Sequence, residues 1–188
     1  MKNNRAIFQR IMILVIIIVF QAFVGFSQSS PRQRNTIYVL DCTGSMCGYN
    51  GAPNIWQPTK QFLKSELKKE AKENPNARVV ILPFQDKVHH PIHVDLKNIA
   101  WQRLENVLDS YVQKLTGTNI CDSWLEAEKY IDQSCDNYIV LMTDGQDNAG
   151  GKPNGNERLA QILKAFCGKY KNTKGFYVEL TQAASLPA

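Results

Sequence analysis

Thr36-Ile37-Tyr38-Val39-Leu40-Asp41 is the stretch on which the fold turns. It is β-branched, aromatic or aliphatic up to a terminal carboxylate, with no polar residue alternating inside it. A strand covered on both faces reads this way, whereas a half-solvated strand would alternate. Working outward, Arg78–Phe84 and Tyr138–Asp144 repeat the pattern, and Phe176–Leu180 is a shorter version of it. Val88–Leu96 is weaker and interrupted by Pro91, which places it at a sheet edge. Its short link to Arg78–Phe84 makes that pair antiparallel.

Helical patterns separate the strands. Phe62, Leu63, Leu67 and Ala71 mark one face of a helix that Pro58 opens and Asn74-Pro75 stops. Its Lys64, Lys68, Lys69 and Lys72 alternate with Glu66, Glu70 and Glu73, as on an exposed, ion-paired face. Trp101, Leu104, Val107, Leu108, Tyr111, Val112 and Leu115 recur at intervals that describe a second helix. Trp124, Leu125, Ala127 and Ile131 mark a third, and Glu157–Cys167 a fourth with Gly168 as its cap. Trp101 and Trp124 are expected in the core. The whole is α/β: a doubly wound, mostly parallel open sheet with one antiparallel edge strand and helices on both faces.

The 188 residues amount to one domain, and 44% hydrophobic with 21% charged residues is an ordinary globular balance. Residues 1–27 stand apart. Lys2, Arg5 and Arg10 precede ten consecutive apolar residues, Ile11–Phe20, and small Gly25 and Ser27 suit a cut after Ser27. This is the layout of a secretory signal peptide. Left uncleaved it would be an N-terminal membrane anchor, although Ile11–Phe26 falls short of the roughly 20 apolar residues a spanning helix needs. Residues 28–35 are a polar linker, and 36–188 form the domain. The expectation is an exported protein, periplasmic or secreted after cleavage, or anchored at the cell envelope. Those three basic residues account for three of the five net positive charges, and the remaining +2 gives no ground for nucleic-acid binding.

Five cysteines include no Cys-x-x-Cys pair, so no zinc site is indicated. Cys42 and Cys167 lie in apolar contexts as buried thiols, and Cys47 and Cys121 flank loops where a bridge could form. His89, His90 and His93 cluster, but on an interrupted edge strand with His89 and His93 on one face and His90 on the other, which argues against zinc. Asp147, Asn148, Asn154 and Asn156 lack a calcium-loop spacing and read as solvated loop.

Two of the buried strands end in carboxylates, Asp41 and Asp144. In an open α/β sheet, ligands sit at the carboxyl ends of the strands where the strand order reverses. Two acids placed there are costly unless something positive lies between them. Asp41, Thr43 and Ser45 form Asp-x-Thr-x-Ser, with Gly44 and Gly48 easing the turn. One carboxylate and two hydroxyls from one loop are hard oxygen ligands, the kind a magnesium ion prefers.

The segment Ile37–Met46 resembles the first part of the metal-ion-dependent adhesion site of von Willebrand factor type A domains. Gly117-Thr118-Asn119-Ile120 resembles the second part, and Val140–Gly145, with its Thr-Asp-Gly ending, the third. All three stand in the family's order. The resemblance implies the Rossmann-like von Willebrand factor A fold, with the strands ending in Asp41 and Asp144 side by side. It implies a metal site in which Thr43 and Ser45 coordinate directly, Asp41 and Asp144 directly or through water, and Thr118 joins when a ligand arrives. The metal would be Mg2+, with Mn2+ or Ca2+ as alternatives, and an Asp or Glu carboxylate of a protein partner would complete the coordination. Three departures stand out. Thr43 replaces the commoner Ser, Cys47–Gln57 is longer than the family's usual entry into its first helix, and the sequence stops where the family adds a helix and a strand.

The expected function is therefore an exported, metal-dependent protein-binding module. The alternative is a structural module of an envelope assembly in which metal only stabilises the fold. A Mg-dependent hydrolase fits less well, because no histidine lies near the motif and no phosphate loop or nucleophile elbow is present. The protein is not expected to be an enzyme.

Overall fold

The structure, a computed structural model, describes residues 32–112, 117–145 and 155–180. Residues 1–27, read above as a signal peptide, lie outside these residues, as do Leu115, Asp147, Asn148 and Asn154. Five strands, β1 (Arg34–Asp41), β2 (Arg78–Phe84), β3 (Ile92–Val94), β4 (Asp136–Thr143) and β5 (Thr173–Glu179), form one sheet in the order β3-β2-β1-β4-β5. β1 pairs parallel with β2 and with β4, and β4 pairs parallel with β5. Only β3 runs antiparallel, against β2. The strand order reverses between β1 and β4, which sets their carboxyl ends side by side.

β1 is central and buried from Asn35 to Asp41. Its alternate residues feed two cores. Tyr38 and Leu40, with Val79 and Ile81, pack under α1 (Trp56–Glu73) and α2 (Trp101–Tyr111) through Leu63, Leu67, Leu104 and Leu108. Ile37 and Val39, with Val80, Leu82, Ile139 and Leu141, pack under α3 (Ile120–Glu128) and α4 (Gly155–Lys169) through Ile120, Trp124, Ala127 and Phe166. Helices cover both faces, as an apolar central strand demands. No helix among the described residues is long and apolar enough to cross a membrane.

Several local expectations are corrected. α1 begins at Trp56, so Pro58 is its third residue, still within the turn that needs no intrahelical donor. Its charges pair across the fold: Lys64 with Glu105 at 2.8 Å, Lys60 with Asp109 at 2.6 Å, and the buried Glu70 with Arg34 at 3.1 Å. Trp101 is only half-buried, with the ammonium groups of Lys64 and Lys68 5.4 Å and 5.8 Å from its ring. α4 runs through Gly168 to Lys169 and leaves Cys167 exposed. β5 starts at Thr173, three residues before the apolar run, because β4 offers it a ladder from Asn137 onward.

None of the five cysteines, all among the described residues, is in a disulfide. Cys47 packs on the α1/α2 core and Cys121 belongs to α3 on the other side of the sheet, so the two do not bridge. β3 is three residues long because Pro91 interrupts the strand and the chain makes only an isolated Phe84–Val88 bridge before it. That break also separates the histidines. His89 stacks on Tyr111 of α2, whereas His93 faces Tyr130, which packs with the opposite core.

Candidate metal site

The carboxyl ends of β1 and β4 carry the site. Asp41 closes β1 with no exposed surface, and Asp144, half-buried, follows the last residue of β4. Beyond Asp41 the chain stays extended at Thr43 and then tightens into a single 3-10 turn, Gly44–Met46. That turn returns Ser45 to the level of Thr43, so the two hydroxyl oxygens lie 3.0 Å apart. The turn leaves through Gly48, whose φ of +81° is open to glycine and strained for other residues. Ile55 N then donates to Met46 O at 2.9 Å and closes the Cys47–Ile55 loop on itself, two residues shorter than the sequence suggests because α1 starts at Trp56.

Hydrogen bonds join the site's oxygens into one chain. Thr43 N donates to Asp41 Oδ1 at 2.8 Å, and Ser45 Oγ donates to Asp144 Oδ1 at 3.1 Å. Thr143 Oγ1 donates to Asp41 Oδ2 at 2.6 Å and accepts from Gly145 N at 3.2 Å. Asp41, Thr43, Ser45 and Asp144 are thus brought together. Thr118 is buried in the loop before α3, and the next residue ties that loop to the same end of the sheet: Asn119 N donates to Gln85 O at 2.7 Å. Asn119 also caps α3, accepting from Asp122 N at 3.1 Å.

Two residues of this site escaped the sequence reading. Thr143 appeared there only as part of the Thr-Asp-Gly ending, yet its hydroxyl holds the outer oxygen of Asp41. Gln85, the first residue after β2, is fully buried, and its Nε2 donates to Cys42 O at 2.9 Å and to Tyr111 O. The available signal was a polar residue directly after an apolar strand, at the sheet edge where Asp41 and Asp144 also sit.

Electrostatics favour a cation here. Burial pushes the Asp41 carboxyl up to about 6, against the lowering effect of the hydrogen bonds from Thr143 and Thr43, and the neighbouring Asp144 charge adds to the rise. Burial raises Asp144 as well, opposed by the Ser45 hydroxyl. Two carboxylates whose ionised forms are penalised, flanked by two hydroxyls, make an all-oxygen donor set that fits a hard divalent cation. Among the described residues no group of three or more His, Cys, Asp or Glu is placed to hold a metal ion. A site with two hydroxyl donors does not depend on such a group.

The model of the von Willebrand factor type A domain matches residues 36–146. No curated protein sequence matches the chain. Among solved structures, proximal thread matrix protein 1 from the mussel byssus, in a form described as having a zinc-occupied MIDAS motif, is 18% identical with a TM-score of 0.53. The match covers 79% of this chain and 36% of that one. The conserved hypothetical protein BatB from Bacteroides thetaiotaomicron is 18% identical with a TM-score of 0.51, covering 77% of this chain and 65% of that one. The pilus adhesin SpaC from Lactobacillus rhamnosus GG is 18% identical with a TM-score of 0.50, covering 64% and 16%. The chain spans about a third of the mussel protein's length and a smaller share of the adhesin's. At these identities the structures speak for the fold, and the family model speaks for the sequence across more than half of the chain, so this protein belongs to the von Willebrand factor type A domain family.

Proposed function

We propose that the protein is an exported interaction module that holds a divalent cation through Asp41, Thr43, Ser45 and Asp144 and binds an acidic group of a protein partner there. The observation that carries this reading is the hydrogen-bonded run of oxygens from Asp41 through Thr43 and Ser45 to Asp144, containing two carboxylates that burial penalises. A bound Mg2+, or Mn2+ or Ca2+, would supply the positive charge these groups lack and an electrophilic position for a partner Asp or Glu. Thr43 and Ser45 would contribute neutral oxygens. With only two carboxylates in the set, the ion's charge would be balanced and not exceeded, and the neutral hydroxyl donors would leave it electrophilic toward the incoming acid. Thr118 would add its hydroxyl as the partner arrives. The reading commits both carboxylates to the metal, which leaves neither, among the described residues of the site, as a base to activate water, so the reading is non-enzymatic. Residues 1–27 are assigned to export, placing the domain outside the cytoplasm as a periplasmic, secreted or envelope-anchored protein.

The test is thermal unfolding of the protein in EDTA and then in rising Mg2+, Mn2+ or Ca2+, beside Asp144→Ala. A midpoint that rises with metal in the wild type and not in the variant supports the site. A folded wild type that ignores all three metals sinks it. Partner capture that a chelator abolishes separates a binding module from a structural one, in which metal would stabilise the domain and leave partner capture unchanged.

A further inference from the structure

We infer that Gln85 is the positioning residue of the metal site, holding the peptide planes that present Thr43 and Thr118. The inference rests on the metal-site reading above. β1 and β2 are parallel with Asp41 level with Phe84, so Gln85 stands beside Cys42 one step beyond the strands. Its primary amide has no exposed surface, and a buried amide is costly unless each of its donors and its acceptor find partners. All are used. Nε2 donates to Cys42 O at 2.9 Å and to Tyr111 O at the end of α2, and Oε1 lies 3.1 Å from His89 Nε2.

The targets of these bonds connect Gln85 to the site. Cys42 O and Thr43 N are the two ends of one peptide group. Its N–H goes to Asp41 Oδ1 at 2.8 Å and its carbonyl is held by Gln85, so the plane from which Thr43 departs is fixed at both ends. The peptide group between Thr118 and Asn119 donates its N–H to the main-chain carbonyl of Gln85 at 2.7 Å. Gln85 N in turn donates to Lys87 O at 2.9 Å, which fastens the turn that carries this carbonyl. One residue therefore sets two hydroxyl-bearing loops, 75 positions apart in the chain, against the same strand end. Outer residues that orient metal ligands commonly matter 10–100-fold to metal affinity.

Gln85→Met removes the amide and keeps the length and volume, and Gln85→Glu keeps the shape with fewer donors. Each is compared with Asn137→Ala, which removes a fully buried amide at the opposite, amino-terminal end of β4. The measurements are the Mn2+ dissociation constant by calorimetry at 25 °C, the unfolding midpoint in EDTA, and amide hydrogen exchange at Thr43 and Asn119 without metal. Positioning by Gln85 predicts Mn2+ binding weakened about tenfold or more in either Gln85 variant that folds, with faster exchange at Thr43, whose peptide carbonyl loses its donor, and less change at Asn119, which the main-chain carbonyl of residue 85 still holds. It predicts an unchanged dissociation constant in Asn137→Ala even where the EDTA midpoint falls as far. Unchanged Mn2+ affinity in a folded Gln85 variant, or an equal loss in Asn137→Ala, overturns the inference and leaves Gln85 as core filling. A wild type that binds no Mn2+ overturns the metal-site reading instead. The amide exchange at Thr43 then still decides whether the Gln85 side chain holds that loop.

Discussion

Thr143 Oγ1 donates to Asp41 Oδ2 across 2.6 Å, joining residues 102 positions apart at the ends of adjacent parallel strands. Both residues are fully buried. The bond gives a buried carboxylate a donor on the side away from Thr43. Thr143→Val keeps the shape and removes that donor, which should cost about 1–3 kcal/mol at pH 8, where Asp41 is ionised. Urea unfolding in EDTA reads the loss, and the loss should shrink at pH 4.5, where Asp41 is protonated and depends less on the bond. A variant as stable as the wild type at pH 8 would contradict this.

The raised Asp41 carboxyl gives apo stability a definite pH slope. Its pKa is about 6 in the folded protein against an ordinary 3.8. As pH rises from about 4 to about 6, the unfolded chain gives up this proton first and the folded state binds more protons, so stability falls with pH and levels off above that window. Asp144 contributes in the same direction. The shift corresponds to about 3 kcal/mol for Asp41. Comparing wild type with Asp41→Asn in EDTA isolates the effect, because the variant lacks this component of the decline. Saturating Mg2+ should flatten the wild-type decline, since metal and proton compete for the same oxygens. A wild type that gains stability over Asp41→Asn as pH rises through the window would refute the assignment.

Gly175 is the point where β5 meets α3. A Cβ there would lie 2.8 Å from Trp124 Cη2 and 3.3 Å from its Cζ2. Trp124 is held against Phe166 of α4, ring centroids 5.2 Å apart and nearly perpendicular, so it has little room to retreat. Gly175→Ala should destabilise the domain by about 1–3 kcal/mol through overpacking. Tryptophan fluorescence of the variant should change, and Trp124→Phe should relieve part of the cost in the double variant. Additive losses in the two single variants would show that the contact is not the cause.

Asp109 fastens α2 to α1 by accepting from Trp56 Nε1 at 2.7 Å and from Lys60 Nζ at 2.6 Å. Lys60 and Trp56 are both buried. Asp109→Ala strands both donors and should cost about 1–3 kcal/mol in urea unfolding. Asp109→Asn retains an acceptor and should cost less.

The sequence by itself determined the layers, the element types and the set of oxygen-bearing side chains at the end of β1. Apolar runs such as Thr36–Asp41 and three-and-four spacings such as Leu63–Leu67 are local signals of burial, and they were enough to order strands and helices. Asp41, Thr43 and Ser45 were legible for the same reason: they sit on one short turn, and their oxygens need no distant partner to be recognised. Only the tertiary structure decided what supports them. Gln85 and Thr143 became site residues when β2 and β4 were laid beside β1, which brought Cys42 O and Asp41 Oδ2 within reach of their donors. The same is true of Glu70, read as one of several surface charges until β1 brought Arg34 to it, and of His89 and His93, separated by the break at Pro91. The physical reason is the range of the interactions. Backbone propensity and apolar periodicity act within a few residues, while a hydrogen bond to a buried carboxylate depends on which strands the sheet sets side by side.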